Sequence, residues 1–370
     1  MGDHGAVEGV VTADRGFWRG RRVLLTGHTG FKGAWLAQWL ELLGAEVTGL
    51  ALAPDTAPSL WAEIAPHRSI QSILGDVCDA EVVATAVNSR PQVAIHMAAQ
   101  SLVRRSYVDP VGTFSTNVLG TVTLLDALRR ADDLECILVV TSDKVYQHPS
   151  GQTGFRETDR LGGVDPYSAS KASQEHAVRA FAISYFLPRG IPVITARAGN
   201  VVGGGDWSAD RLVPDMWRAA QAGTPLTVRY PQAIRPWQHV LDCLHGYQLY
   251  VEATTRRAGG LVAEPDWPEC LNFAPSSPMA RTAADVVSAI APFLELTSGW
   301  VLAPAPHPPE QPQLWIDASL ARERLGWAPI LDHDDTMGWT GEWYRDFARG
   351  VPAHLLCERQ IAAFTARSGA

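Results

Sequence analysis

Five side chains in one stretch of this chain could run acid–base chemistry. Thr141-Ser142-Asp143-Lys144 sets a hydroxyl, a carboxylate and an amine in a row, and Asp165-Pro166-Tyr167-Ser168-Ala169-Ser170-Lys171 sets a tyrosine and a lysine four residues apart. On a helix that spacing puts both on one face, one turn along. An ammonium beside a phenol favours the phenolate. Tyr167, ordinarily near ~10, is therefore expected to be lowered by Lys171 and to serve as a base near neutral pH. Taken alone, the pair reads more readily as a helix start with a surface lysine. The surrounding elements decide between the two.

Those elements alternate. The run Arg22–Thr26 is apolar and strand-like. It meets Gly27, Thr29, Gly30, Phe31, Lys32 and Gly33, then an amphipathic run over 34–43 and a second strand over 46–52. Glycines spaced three apart between strand and helix suit a turn on which a pyrophosphate lies against the backbone and the helix N-terminus. An acidic residue for ribose hydroxyls is expected about 20 residues further on; that place reads Leu50-Ala51-Leu52-Ala53, and the nearest carboxylate is Asp55. The stretch alone leaves NAD against NADP open, and the lack of an arginine before Trp61 leans to NAD. Asp76, followed by Val77, either accepts from an adenine amine or caps the next helix. A strand over 93–99 ends in Ala98 and Ala99, small enough for a flat ring to approach the backbone; its His96 reads as a packed histidine. A helix over 118–130, the strand Cys136–Val140, a helix over 166–186 and a strand over 191–196 continue the pattern. Such alternation implies a Rossmann-type, doubly wound parallel α/β sheet that binds ligands beyond its strand ends. Ser142, Asp143 and Lys144 stand at one such end.

After residue 200 the prolines thicken and the alternation fades. Gly203-Gly204-Gly205-Asp206-Trp207 reads as a loop ending in specific groups, and Arg229 and Arg235, in a polar and aromatic stretch, as a candidate phosphate clamp, since guanidinium grips phosphate through a fork. Helices are expected over 282–294 and 320–327. The domain division is 18–200 with a returning segment near 237–275 for the dinucleotide-binding domain, and 201–236 with 276–350 for a smaller C-terminal α/β substrate domain. Residues 1 to about 18 read as a frayed leader without a signal-peptide pattern. Net charge is −8, which offers nucleic acid or an anionic membrane no bulk attraction. No apolar run approaches the roughly 20 residues of a membrane span. The five cysteines are scattered and the histidines dispersed, so the chain is expected to be reduced, cytoplasmic and free of metal.

Five segments taken together resemble one family. Thr26 to Gly33, Ala98 to Tyr107, Thr141 to Lys144, Gly203 to Trp207 and Arg235-Pro236-Trp237-Gln238-His239-Val240 are similar to the CDP-glucose 4,6-dehydratase family of extended short-chain dehydrogenase/reductases. The resemblance runs from about Gly20 to Tyr344. It implies a bound NAD, a CDP-glucose substrate and a 4-keto-6-deoxy product for deoxysugar biosynthesis. It implies Tyr167 and Ser142 at the sugar C4 oxygen, Lys171 keeping the phenolate charged and bonding the nicotinamide ribose, Lys144 as base at C5 and a protonated Asp143 as acid at C6, the last two roles being open to exchange. It also implies sugar-nucleotide contacts from Ser101, Arg104, Asn200, Asp206, Trp207, Arg211, Arg235, Trp237 and His239, and a homodimer or homotetramer built through helices near 100–125 and 165–187.

Overall fold

The computed structural model describes residues 12–147, 154–259, 267–275, 281–304 and 314–369. Its centre is a seven-stranded sheet of β1 (Arg22–Thr26), β2 (Glu46–Ala51), β3 (Gln71–Leu74), β4 (Val93–His96), β5 (Cys136–Val140), β6 (Val193–Ala198) and β7 (Cys270–Phe273). All neighbours run parallel, in the order β7-β6-β5-β4-β1-β2-β3. A parallel sheet must be covered on both faces, and β5 is buried at every position. Alternate residues serve alternate layers. Val23 and Leu25 join the core beneath the helices Phe31–Leu42 and Val240–Ala258, whereas Leu24, Ile137 and Val139 join the one beneath Ala80–Val87 and Gly120–Leu128. The strand order reverses between β1 and β4, and the crevice beyond that reversal is where such sheets hold ligands.

Several expectations shift. The leader is anchored from Asp14: Trp18 is fully buried and donates its indole N–H to Glu252 Oε1 at 2.6 Å. Residues 1–11 lie outside the described residues, as does most of the proline-rich stretch after Ala303. The expected helix over 118–130 is the end of a longer run that starts at Pro110 and loosens into π-type turns over Ser115–Leu119. Strand β6 starts and ends two residues later than expected, at Val193–Ala198. The helix Ala283–Leu294 opens on a capping box between Thr282 and Asp285. A helix Ala353–Ser368 lies beyond the expected substrate domain, and Gln38 of the helix Phe31–Leu42 donates to its His354 carbonyl at 2.9 Å. Among the described residues no helix is long and apolar enough to cross a membrane.

Candidate active site

The helix Pro166–Phe181 is started by Asp165, whose carboxylate accepts the Ser168 amide, and by Pro166 in its first turn. This presents Tyr167 and Lys171 to the ends of β4 and β5, both nearly closed to solvent. Lys171 Nζ donates to the Val140 carbonyl at 3.3 Å and to Gln174 Oε1 at 2.9 Å. An ammonium has three donors, so one remains for a ligand. Gln174 is held in turn, donating to Thr121 Oγ1 at 2.7 Å. Thr121 gives its own proton to the Asn117 carbonyl, so the His96 ring must donate to it through Nε2, at 2.8 Å. The other ring nitrogen accepts from Thr26 Oγ1 at 2.7 Å. Burial first, then the Lys171 charge, lower His96 to about 3 and keep it neutral. His96 is thus a packed link between β1 and the lysine.

The ionisation of the pair departs from the sequence expectation. Tyr167 is pushed up to about 12, chiefly by burial; the Ser142 hydrogen bond opposes this and Asp143 adds to it. Lys171 is pulled down to about 7, first by burial and then by Lys32, with Glu175 opposing. The lysine therefore does not bring the phenol to neutrality by itself. In a closed site desolvation is the largest influence on both groups.

Beyond β5, Ser142 donates to Asp143 Oδ1 at 3.1 Å and accepts the Lys144 amide at 3.2 Å. Lys144 Nζ stands 3.9 Å from the same carboxylate oxygen and is partly exposed. Asp143 is buried, and its Oδ2 has no hydrogen-bond partner among the described residues. A buried acceptor left unpaired costs about 1–3 kcal/mol, so this oxygen is able to take a hydrogen bond from a bound hydroxyl. At Gly199 a Cβ would come within 3.2 Å of it, so the glycine keeps the approach open.

Sequence reasoning missed the base of the site. Glu175 stands four residues past Lys171, on the stripe already carrying Tyr167. It is buried and gripped by both arms of the Arg197 fork, and it accepts Thr141 Oγ1 at 2.7 Å. Arg197 also donates to Tyr146 Oη at 2.8 Å. The four-residue spacing of 167, 171 and 175 was the available signal.

On the glycine side, Gly27 has φ +79, and a Cβ there would lie 2.8 Å from Ala98 N. A Cβ at Gly33 would strike the Gly27 carbonyl. The turn is thereby pressed against the end of β4. The helix Phe31–Leu42 has Gly30 as its N-cap and no side chain capping it, so its first amides stay available to a diphosphate. Thr29 donates to the Leu52 carbonyl at 2.8 Å. Where a ribose carboxylate was expected, His28 fills the space instead, buried against Gly49 and 2.7 Å from Ser72 Oγ. The cap of the next helix belongs to Asp79, and Asp76 accepts the Cys78 amide at 2.9 Å; Val77 is buried beside it. The Lys32 side chain turns inward, away from the diphosphate side, to Tyr247.

The substrate-side arginines gather in pairs. Arg211 donates to Asp206 Oδ2 at 2.9 Å and Ser101 Oγ at 3.1 Å, and its charge is felt by Tyr167. Arg104 and Arg229 share Asp210 Oδ1 at 2.7 and 3.1 Å. Arg235 is buried and donates to the Ile234 carbonyl at 2.8 Å. Asn200 accepts the Gln238 amide on its carbonyl at 3.1 Å. Two expected sugar-nucleotide contacts are corrected. Trp207 is a core residue, 4% exposed among Trp217, Trp343, Tyr344 and Phe347. His239 is fully buried, caps the helix Val240–Ala258 through Nδ1 and packs on Trp35 and Trp339. Trp237 is partly exposed and packs against the edge of the core. Among the described residues no group of His, Cys, Asp or Glu is arranged to hold a metal.

Comparison with known proteins agrees with this geometry. The family model for GDP-mannose 4,6 dehydratase matches residues 24–282. A CDP-glucose 4,6-dehydratase of Salmonella typhimurium is 38% identical over 95% of this chain and 98% of its own length. A dTDP-glucose 4,6-dehydratase of Xanthomonas campestris is 29% identical over 87% of this chain and 92% of its own. Among solved structures, a dTDP-glucose 4,6-dehydratase from Streptomyces venezuelae with NAD bound superposes with a TM-score of 0.73 at 25% identity, covering 89% of this chain and 98% of that one.

Proposed function

The chain belongs to the nucleotide-sugar 4,6-dehydratases, the family its model match and its Salmonella relative share, and from that premise we propose that it converts CDP-glucose to CDP-4-keto-6-deoxyglucose with NAD as resident cofactor. The uncapped glycine turn, the small Ala98 and the spare donor of Lys171 fit a dinucleotide. Bound NAD supplies a hydride acceptor and then a donor, so that the hydrogen taken from C4 reappears at C6. Tyr167, aided by Ser142, takes the proton of the C4 hydroxyl. Lys171 steadies the phenolate and holds the nicotinamide ribose. The C4 ketone acidifies C5, Lys144 removes the C5 proton, Asp143 protonates the departing C6 hydroxyl, which leaves as water, and Lys144 returns its proton to C5 as C6 is reduced. Arg211, Arg104, Arg229 and Arg235 take the diphosphate, with Asp206 and Asp210 orienting the first three.

One observation carries the elimination step: the buried, unpartnered Oδ2 of Asp143 beside Lys144 and the Ser142–Tyr167 contact. Oxidation alone needs no such acid. CDP-glucose deuterated at C4 is expected to yield product with the label at C6 of the same molecule. Label retained at C4 marks an epimerase, and no turnover on CDP-glucose beside turnover on dTDP-glucose or GDP-mannose reassigns the base.

In this reading the substrate-domain segment 201–236 carries Arg211, Arg229 and Arg235, Arg104 comes from the dinucleotide-binding domain 18–200, the segment 276–350 completes the substrate domain, and the enzyme works in the cytoplasm, in keeping with its five free cysteines. It works as a homo-oligomer. The run Pro110–Phe114 and the turns after it expose Val111 (76%) and Leu119 (59%), and the neighbouring helix end exposes Ile183 (52%), an apolar strip that suits a second copy. Val111→Asp with Leu119→Asp is expected to turn the assembly into monomers in light scattering; an unchanged mass moves the interface elsewhere.

A further inference from the structure

The turn that carries Ser142, Asp143 and Lys144 is tied down at both ends by buried side chains. Thr141 stands just before it and Tyr146 closes it. Thr141 Oγ1 donates to Glu175 Oε1 at 2.7 Å. The same oxygen accepts Arg197 Nε at 2.7 Å, and the other carboxylate oxygen accepts Arg197 Nη2. Arg197 then reaches the far end of the turn. Its Nη1 donates to Tyr146 Oη at 2.8 Å and to the Glu157 carbonyl at 3.2 Å. Tyr146 gives its own proton to Asn272 Oδ1 on β7, at 2.6 Å. Asn272 is fixed in turn, donating through Nδ2 to the carbonyls of Phe155 and Asp317, each at 3.0 Å. Glu175, Arg197, Tyr146 and Asn272 are all buried.

We infer that Glu175 and Arg197 are positioning residues that set the spacing between the two halves of the reaction. The inference rests on reading the Tyr167–Lys171 dyad and the Ser142–Lys144 turn as one active site. The dyad works at C4 and the turn at C5 and C6, so one bound sugar must meet both at once. Reacting atoms have to lie roughly 3–3.5 Å apart, and small misplacements are costly. Glu175 belongs to the helix that carries the dyad, about two turns past Tyr167. Through one ion pair that helix is joined to both ends of the turn. The turn's own backbone bonds are few. Strand β5 ends at Val140, the Thr141 amide makes the last bond to β6, at the Ala196 carbonyl, and the Val145 amide reaches the Ser142 carbonyl only at 3.4 Å. Gly162 adds one bond from outside, to the Val145 carbonyl at 2.8 Å. The place of Ser142 relative to the dyad is therefore left to the Thr141 and Tyr146 hydroxyls and to the fork between them.

Thr141→Val tests this without stranding a charge, because Glu175 keeps both arms of Arg197. In the full-length protein without substrate, the amides of residues 142–146 are expected to exchange with heavy water about 10-fold faster than in wild type. With CDP-glucose, kcat should fall about 10–100-fold while KM stays at the wild-type value. Thr141→Ser keeps the hydroxyl and should restore both readings. Faster exchange without a fall in kcat, a fall in kcat without faster exchange, no change in either, or a Thr141→Ser protein as impaired as Thr141→Val overturns the inference. If Thr141→Val does not fold, Tyr146→Phe removes the tie at the other end and decides by the same two readings. The exchange needs no substrate. A wild-type protein inert on CDP-glucose therefore sinks the proposed reaction, whereas a Thr141→Val protein indistinguishable from an active wild type sinks the tie.

Discussion

Tyr167→Phe is expected to cut turnover about 10²–10⁴-fold while affinity for the nucleotide sugar stays near that of wild type. The hydroxyl removed is the group that accepts the C4 proton; the remaining ring still fills its buried place. The pH dependence follows from the resting charges. With the phenol near 12 and the lysine near 7, the first proton lost by the dyad comes from Lys171. Wild-type kcat/KM is therefore expected to rise as pH climbs through about 7, where the dyad passes from two protons to one. Ser142→Ala removes the hydrogen bond that lowers the phenol and should cost about 10–100-fold, the worth of one hydrogen bond to a charged group. A Tyr167→Phe enzyme that keeps more than about a tenth of wild-type turnover would remove Tyr167 from the chemistry.

That the dyad's charges had to be corrected shows where sequence reasoning stops. The sheet was legible because each strand is short, apolar and bounded by turn residues, and parallel strands covered on both faces can hardly read otherwise. The glycine turn was legible because its spacing is a backbone requirement. The row Ser142, Asp143, Lys144 was legible because it sits where a strand ends. Ionisation was not, since it depends on how completely the site closes, and closure is supplied by segments far apart in the chain. The same holds for Trp207 and His239. Both are flanked by polar and glycine residues that suggest a binding loop, yet Trp343 and Phe347 bury the first and Trp35 and Trp339 the second. Spacing did contain one unread sign. Residues 167, 171 and 175 form a single helical stripe, and an acid on a stripe with a buried lysine needs its own counter-ion, here Arg197. Breaking such a pair is costly because it strands a buried charge, so the floor of the site is rigid while its mouth is lined by more exposed arginines.

The mouth is where elimination is decided, and Asp143 and Lys144 should separate there. If Asp143 is the acid at C6, Asp143→Asn still allows oxidation at C4 and loss of the C5 proton, but the hydroxyl cannot leave as water. Dissolved in heavy water, this variant is expected to exchange the C5 hydrogen of CDP-glucose while forming product about 10²–10⁴-fold more slowly. Lys144→Met removes the base, and exchange and product formation should fall together. The geometry supports this order. Lys144 Nζ is partly exposed, where a proton taken from C5 can reach solvent, and Asp143 Oδ2 is buried with no partner among the described residues, where it can meet a departing hydroxyl. If Asp143→Asn stops exchange and Lys144→Met preserves it, the two roles are reversed. If both variants exchange and turn over like wild type, the unpartnered carboxylate belongs to some other ligand and the chain does not carry out the elimination proposed for it.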